Sequence, residues 1–357
     1  MGGGSAREIT VGARVMSKLK LGIIGCGWIA PFHAAALNRL SDRVAVVWAA
    51  DPETDRAEGI ARSLATGDVE VLGDYRDGLD RVDAVSILVP HHLHHPITLD
   101  ALQAGCHVLL EKPFALTLEE ADDMIAEAEG QGKTLMIALP HRYRKSTQAF
   151  RQVIDSGDYG RLFMLDAFMD EDNREYVTGG WFVKKATLGG GVYFSASAHM
   201  LDVMLWIAGD VQSVSMVGTH AGLPMEGEDT AISVIKFKNG VVGTTRHTWF
   251  SPKPHRWYTM RAYCERAVIT LTVHPLGNLA VEGVGCAWSS QITVCEAGAA
   301  EKVLLDSDEG LDLTEEVRHF LDCVDSGAQP QTDGLVARQL MQVALDAYRD
   351  AEITGAN

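Results

Sequence analysis

Two residue groupings in this chain could do proton chemistry. The first is Lys112, which lies between Glu111 and Pro113 at the end of an apolar run, Cys106-His107-Val108-Leu109-Leu110. An ammonium there can hydrogen-bond a reacting hydroxyl, raise the local positive potential and lower the pKa of a nearby acid. The same lysine could instead pair with Glu111. The second is His199, with Ser195 four residues before it and Asp202 three after. On a single helix, at about 100° per residue, the three side chains share an arc of roughly 60°. A neutral imidazole there can take a proton from an alcohol near physiological pH. A core histidine tied to Asp202 fits the spacing as well.

A third cluster, His91-His92-Leu93-His94-His95, invites a metal. Consecutive histidines on a strand-to-helix turn diverge, however, and no neighbouring cysteine completes a tetrahedral set. No metal is expected; His91 and His94 read as part of a loop facing a cofactor. Trp181, Lys184 and Lys185 could line a sugar-sized pocket by stacking and hydrogen bonding, or could equally be surface residues.

These groups must be held by the elements around them, and the clearest of those is at the start of the chain. Leu19 to Ile24 is an apolar run that ends in Gly25-Cys26-Gly27-Trp28-Ile29-Ala30, followed by helix-compatible residues to Leu40. Gly25 permits a tight turn, Gly27 lets a pyrophosphate approach the backbone, and Ala30 allows close helix packing. The phosphates would sit on the N–H groups of Trp28 and Ile29 at the helix N-terminus. A second apolar run, Val44 to Ala50, stops at Asp51, about 20 residues on, where a carboxylate can bind an adenosine ribose. Asp51 favours NAD over NADP, because a 2′-phosphate would meet its charge. A plain βαβ unit in which Asp51 only caps the next helix remains open. Pro90, His91, His94, Glu111, Lys112 and Arg142 all stand at the ends of later strands and are expected to face the same cofactor.

Strands predicted at Val69–Leu72, Val82–Val89, Cys106–Leu110 and Thr134–Leu139 alternate with helices, which implies a doubly wound parallel α/β sheet. Thr117 and Glu120 form a capping box for the helix to Glu129. After residue 142 the pattern changes to α+β. A helix over Thr147–Asp155 precedes strands at Leu162–Asp166, Val211–Val217, Ala231–Lys238, Val241–Thr248, Trp257–Ala262 and Ala267–Val273, with a hairpin signal at Lys238-Asn239-Gly240. Helices are expected over Val192–Ala208 and over Asp312–Glu352, the latter broken at Gln329-Pro330. The division is therefore a flexible lead over 1–16, a dinucleotide-binding domain over 17–142, and a substrate-binding and oligomerisation domain over 143–357.

The 357 residues carry a formal net charge of −17, which argues against nucleic-acid or anionic-membrane partners. The lead lacks the apolar segment of a secretory signal. Six cysteines without a Cys-x-x-Cys pair read as buried thiols in a reducing cytoplasm.

Taken in order, Gly25 to Ala30 with His33, Pro90 to His94, Ala104 to Pro113, and Gly189-Gly190-Gly191 with His199 and Asp202 resemble the Gfo/Idh/MocA family of nicotinamide-dependent oxidoreductases. The resemblance covers roughly Leu19 to Ala351. It implies a Rossmann domain followed by a domain built on a large, open, mostly antiparallel sheet. It also implies hydride exchange between the nicotinamide and a secondary alcohol of a sugar, glycoside or cyclitol, giving a keto-sugar. Lys112 would contact the reacting hydroxyl and His199 would act as acid and base, with Trp181 and Ser195 at the substrate. Ser195 stands where the family often has aspartate, and His91 where it commonly has asparagine. A redox-neutral enzyme that uses bound NAD transiently (an epimerase, an eliminase or a glycoside-cleaving enzyme) and a non-catalytic NAD-binding regulator are the alternatives. An open sheet needs covering, so a homodimer or homotetramer is expected.

Overall fold

The computed structural model describes residues 18–252, 257–275, 287–310 and 312–355; the lead over 1–16 lies outside them. The first half is built from β1 (Leu19–Ile24), α1 (Ala30–Arg39), β2 (Val44–Ala50), α2 (Thr54–Ser63), β3 (Glu70–Leu72), β4 (Ala84–Ile87), α3 (His94–Gln103), β5 (His107–Glu111), α4 (Leu118–Gln131) and β6 (Leu135–Ala138). The strands form one parallel sheet in the order β3-β2-β1-β4-β5-β6. Their apolar runs are buried on both faces, as a parallel sheet between helices requires. The order reverses between β1 and β4, which opens a crevice at the carboxyl ends of those strands. At α4, the Thr117 hydroxyl accepts from the Glu120 N–H at 3.2 Å, while the Glu120 carboxylate accepts from Leu116 N–H at 2.9 Å, one residue before its expected donor.

The second half contains α5 (Lys145–Asp155), β7 (Leu162–Asp170), α6 (Lys185–Leu188), α7 (Val192–Ser195), α8 (Ala198–Ala208), β8 (Val211–His220), β9 (Thr230–Phe237), β10 (Val242–Thr248), β11 (Tyr258–Cys264), β12 (Ala267–Pro275), β13 (Ala287–Glu296), β14 (Lys302–Gly310), α9 (Thr314–Ser326), α10 (Gly334–Arg349) and β15 (Glu352–Gly355). A nine-stranded sheet runs β14-β13-β12-β11-β7-β10-β9-β8-β15. Its pairs are antiparallel except β10 with β7 and β15 with β8. β9 and β10 pair as the Lys238-Asn239-Gly240 signal predicts. Along β9 buried and exposed residues alternate, so one face of the sheet packs on the core and the other is open.

One expectation is corrected here. The predicted helix Val192–Ala208 is two helices, because α7 ends at Ser195 and the axis turns by 50° before α8. The tract Asp312–Glu352 breaks around Gln329-Pro330 as expected, between α9 and α10, and there Thr332 and Asp333 join the edge of β6 through Ile137 N–H and a bridge to Met136. From there α9 lies on α1, its Val317, Phe320 and Leu321 completing the core on one face of the first sheet. Among the described residues, no single helix is long and apolar enough to cross a membrane.

Candidate active site

The glycine turn between β1 and α1 is shaped for an anion. Gly25 has φ +90°, and a Cβ there would lie 2.6 Å from the Leu88 carbonyl oxygen. A Cβ at Gly27 would meet nothing within 4 Å, so that glycine faces open space. No side chain caps α1, its first turn holds no acidic residue, and Pro31 has no N–H to satisfy. Among the described residues, the N–H groups of Gly27, Trp28 and Ile29 have no acceptor. Unpaired amides at a helix N-terminus beside an open glycine fit a pyrophosphate. Asp51 ends β2 beside them. Its two oxygens accept from Cys26 N–H and Glu53 N–H, each at 2.9 Å, which fixes the carboxylate and leaves further lone pairs for ribose hydroxyls. Arg56, the only arginine on α2's first turns, is paired with Glu53 at 2.9 Å. Burial, reinforced by Asp51, pushes the Cys26 thiol up to about 12, so it stays protonated.

Proton chemistry gathers where β5 ends against α7 and α8. Lys112 Nζ donates to the Ser195 carbonyl oxygen at 3.2 Å, linking the two domains. Burial lowers the lysine below its ordinary value, while Glu111 and Glu171 oppose that shift. His199 projects from α8 and stacks on His141, with ring centroids 4.8 Å apart and planes 19° from parallel. Burial holds the His199 imidazole well below the ordinary 6.5, and the positive charge of Lys112 adds most among its charged neighbours. Its Nδ1 is buried without a partner. An aligned, neutral imidazole with one uncommitted nitrogen can receive a proton.

Glu171, just past β7, sits behind Lys112. It accepts from Trp249 Nε1 and His247 Nε2 at 2.9 Å and from Trp257 Nε1 at 3.2 Å. Burial pushes its carboxyl up, but the bond and charge of His247 outweigh this and leave it below the ordinary value. The sequence reading stopped this strand at Asp166; the alternation Leu165, Ala167, Met169 continues it and delivers Glu171 to the site. His141, three residues past the end of β6, is 2% exposed and stacks on His199.

Other expected site residues are committed elsewhere. Arg142, expected at the cofactor, makes a two-point bond to Asp202 at 2.6 and 2.9 Å and a third bond to the Gln331 carbonyl. Asp202, on α8 with His199, is thus committed to Arg142, and the break before α8 takes only Ser195 off the helix that carries the other two. His94 is fully buried with its ring nitrogens on the carbonyls of Pro113 and Val89, at 2.7 and 3.0 Å. His91 reaches the Leu188 carbonyl at 2.9 Å and meets Trp181 edge-on at 4.6 Å. Glu111 pairs with His33 at 3.1 Å, while Pro90 is half-buried at the end of β4. Ser195 is 2% exposed and presents its carbonyl, not its hydroxyl, to Lys112.

Known proteins carry the same plan. The oxidoreductase family with an NAD-binding Rossmann fold, Gfo/Idh/MocA, matches residues 19–139, and the Gfo/Idh/MocA C-terminal domain matches residues 147–270. D-Glucoside 3-dehydrogenase of Escherichia coli (strain K12) is 30% identical over 248 residues, 64% of this chain and 69% of that protein. scyllo-Inositol 2-dehydrogenase (NAD(+)) of Bacillus subtilis (strain 168) is 23% identical over 92% of this chain and 93% of its own. In fold, the WlbA dehydrogenase of Bordetella pertussis, solved with NADH and UDP-GlcNAcA, superposes with a TM-score of 0.77 at 22% identity, covering 93% of this chain and 96% of that one. Cradle, crevice and both matched domains together establish that the chain belongs to the Gfo/Idh/MocA family of NAD-binding oxidoreductases, enzymes acting on CH–OH groups.

Proposed function

We propose that this enzyme oxidises a secondary alcohol of a sugar, glycoside or cyclitol to the ketone, or runs the reverse reaction, with NAD. The observation that carries this reading is that Lys112, at the end of β5 and bonded to the Ser195 carbonyl, acts by its charge on the buried, neutral imidazole of His199. Gly25, Gly27, Trp28, Ile29, Ala30 and Asp51 would hold the dinucleotide. NAD, when bound, supplies the acceptor for the carbon-bound hydrogen. The chain's own part is to manage the hydroxyl. Lys112 spends one N–H on Ser195 and has two left to hold the reacting oxygen, so its charge favours alkoxide character there. His199 takes the hydroxyl proton on its imidazole. The cationic neighbours make that proton easy to return in the reverse direction.

The test is a panel of sugars, glycosides and cyclitols with NAD and with NADP, followed by reduced-nicotinamide absorbance. Turnover with NAD supports the reading; measurable NAD affinity without turnover of any polyol removes it.

Two expected outcomes arise at once. The neutral His199 is the base, and its folded value lies below 6.5. Oxidation should therefore hold its kcat/KM from neutral pH down through 6.5 and fall only in more acid solution. A fall that sets in above pH 6.5 would contradict this assignment. Second, Asp51→Asn removes the charge that opposes a 2′-phosphate. The kcat/KM ratio of NAD to NADP should drop by about tenfold, the effect of one partly solvated charge pair. An unchanged ratio would remove Asp51 from cofactor choice.

The same reading includes assembly of two or four copies through the open face of the nine-stranded sheet. Val217, Ile232, Val234 and Val242 are 51%, 45%, 57% and 44% exposed there, more apolar surface than a lone sheet face usually leaves to water. The free thiols Cys26, Cys106, Cys264 and Cys323 are buried, in keeping with work in the cytoplasm, whereas Cys295 is exposed, contrary to the burial expected of it; Cys286 lies outside the described residues.

A further inference from the structure

Trp28 belongs to the glycine turn, yet its indole is 62% exposed. The ring that meets it from the other domain is Tyr176, 45% exposed, with centroids 6.2 Å apart and planes at 63°. The row continues inward. Tyr176 lies 4.9 Å from Phe182, Phe182 lies 3.8 Å from Trp181, and Trp181 lies 4.6 Å from His91. At that inner end His91 lies 5.6 Å from His94, whose ring bonds the carbonyl of Pro113, the residue after Lys112, at 2.7 Å. The row thus runs from the neighbourhood of Lys112 and Pro113 to solvent, with two rings from the first domain, Trp28 and His91, and three from the second.

The segment that presents Tyr176 is held firmly. Glu171 N–H bonds the Thr248 carbonyl and Asn173 N–H bonds the Trp249 carbonyl, both at 2.9 Å. Tyr176 and Val177 N–H groups both return to the Asn173 carbonyl, at 3.1 and 2.8 Å, and Val177 is 1% exposed. Farther along, the Thr187 hydroxyl donates to the Trp181 carbonyl at 2.7 Å. Two large rings are therefore fixed in place with their faces only partly used, at the entrance of a site for a small polar ring. A bare sugar or cyclitol would be engulfed at the inner end and leave Trp28 and Tyr176 idle.

We propose that Trp28, Tyr176 and Phe182 form a subsite for an aromatic or apolar aglycone, so that the preferred substrate class is glycosides bearing such a group rather than free sugars. This rests on the sugar-oxidation reading above. The aglycone lies along the row while the glycosyl ring reaches Lys112 and His199. Selectivity comes from stacking, which each aromatic partner supplies at several-fold in affinity, about tenfold for two.

The experiment compares methyl and phenyl β-D-glucopyranoside on the full-length, NAD-loaded protein, by calorimetric Kd and by kcat/KM. The phenyl glycoside should bind about tenfold more tightly, with the gain in KM and not in kcat. Tyr176→Ala should bring the ratio close to one and leave the methyl glycoside unchanged, whereas Tyr176→Phe should keep the preference. Equal affinity in the unaltered enzyme overturns the subsite, as does a Tyr176→Ala variant that weakens both glycosides alike. Failure to oxidise either compound counts against the sugar-oxidation reading, and the Kd ratio then decides the subsite by itself: a phenyl preference abolished in Tyr176→Ala upholds it, and no preference or no binding of either glycoside overturns it.

Discussion

Lys112→Ala lowers kcat/KM for alcohol oxidation by about 10²–10³-fold, the usual effect of removing one preorganised charge-stabilising donor, and leaves NAD affinity nearly unchanged. The reason lies in how the lysine is placed. It stands at the carboxyl end of β5, one N–H is fixed by the Ser195 carbonyl, and Glu111 and Glu171 keep it charged against burial. Its remaining donors have one task, the reacting oxygen, and the glycine cradle that would hold the dinucleotide lies on β1 and α1. Loss of rate with an unchanged cofactor Kd, measured by steady-state kinetics and calorimetry, is the expected pattern. Turnover that survives the substitution takes Lys112 out of the mechanism.

The second large effect is on stability. Arg142 and Asp202 are 6% and 1% exposed and bonded at two points. Arg142 also holds the Gln331 carbonyl, so one guanidinium ties the end of β6, α8 and the strand-like stretch before α10. Arg142→Ala leaves a carboxylate buried without a partner, and such a loss costs about 3–5 kcal/mol. The urea midpoint should fall accordingly, and a combined Arg142→Met, Asp202→Leu replacement should recover most of the loss. A fall of under about 1 kcal/mol would mean that the pair is not a staple.

How far the sequence carried the reading follows from the range of the signals it contains. The parallel sheet was legible because every strand ran apolar into a turn residue, and the glycine motif is a local feature. Lys112 and His199 stand out in the sequence as candidates, each lying at an element end with a distinctive neighbourhood. The bond of Asp202 to Arg142 was not legible, because its partner lies 60 residues earlier and no local spacing announces it. The break after Ser195 was hidden by the continuous apolar pattern of Val192–Ala208, and it separates Ser195 from the helix that carries His199 and Asp202. Glu171 was missed because the strand before it was drawn four residues short. The acidic end of β14, at Asp306 and Asp308, suppressed the strand pattern there. The aromatic row could not be seen in sequence at all, since Trp28 and Tyr176 meet only when the two domains close on one another.

The central claim is that hydrogen leaves a secondary carbon of a polyol for the nicotinamide while Lys112 and His199 manage the oxygen. The most direct measurement gives the enzyme NAD and a panel of sugars, glycosides and cyclitols deuterated at carbon, and records the reduced dinucleotide by mass and NMR. The account predicts reduced nicotinamide carrying one deuterium, with the ketone formed in equal amount. Reduced nicotinamide without deuterium, or NAD bound and unreduced across the whole panel, would contradict it.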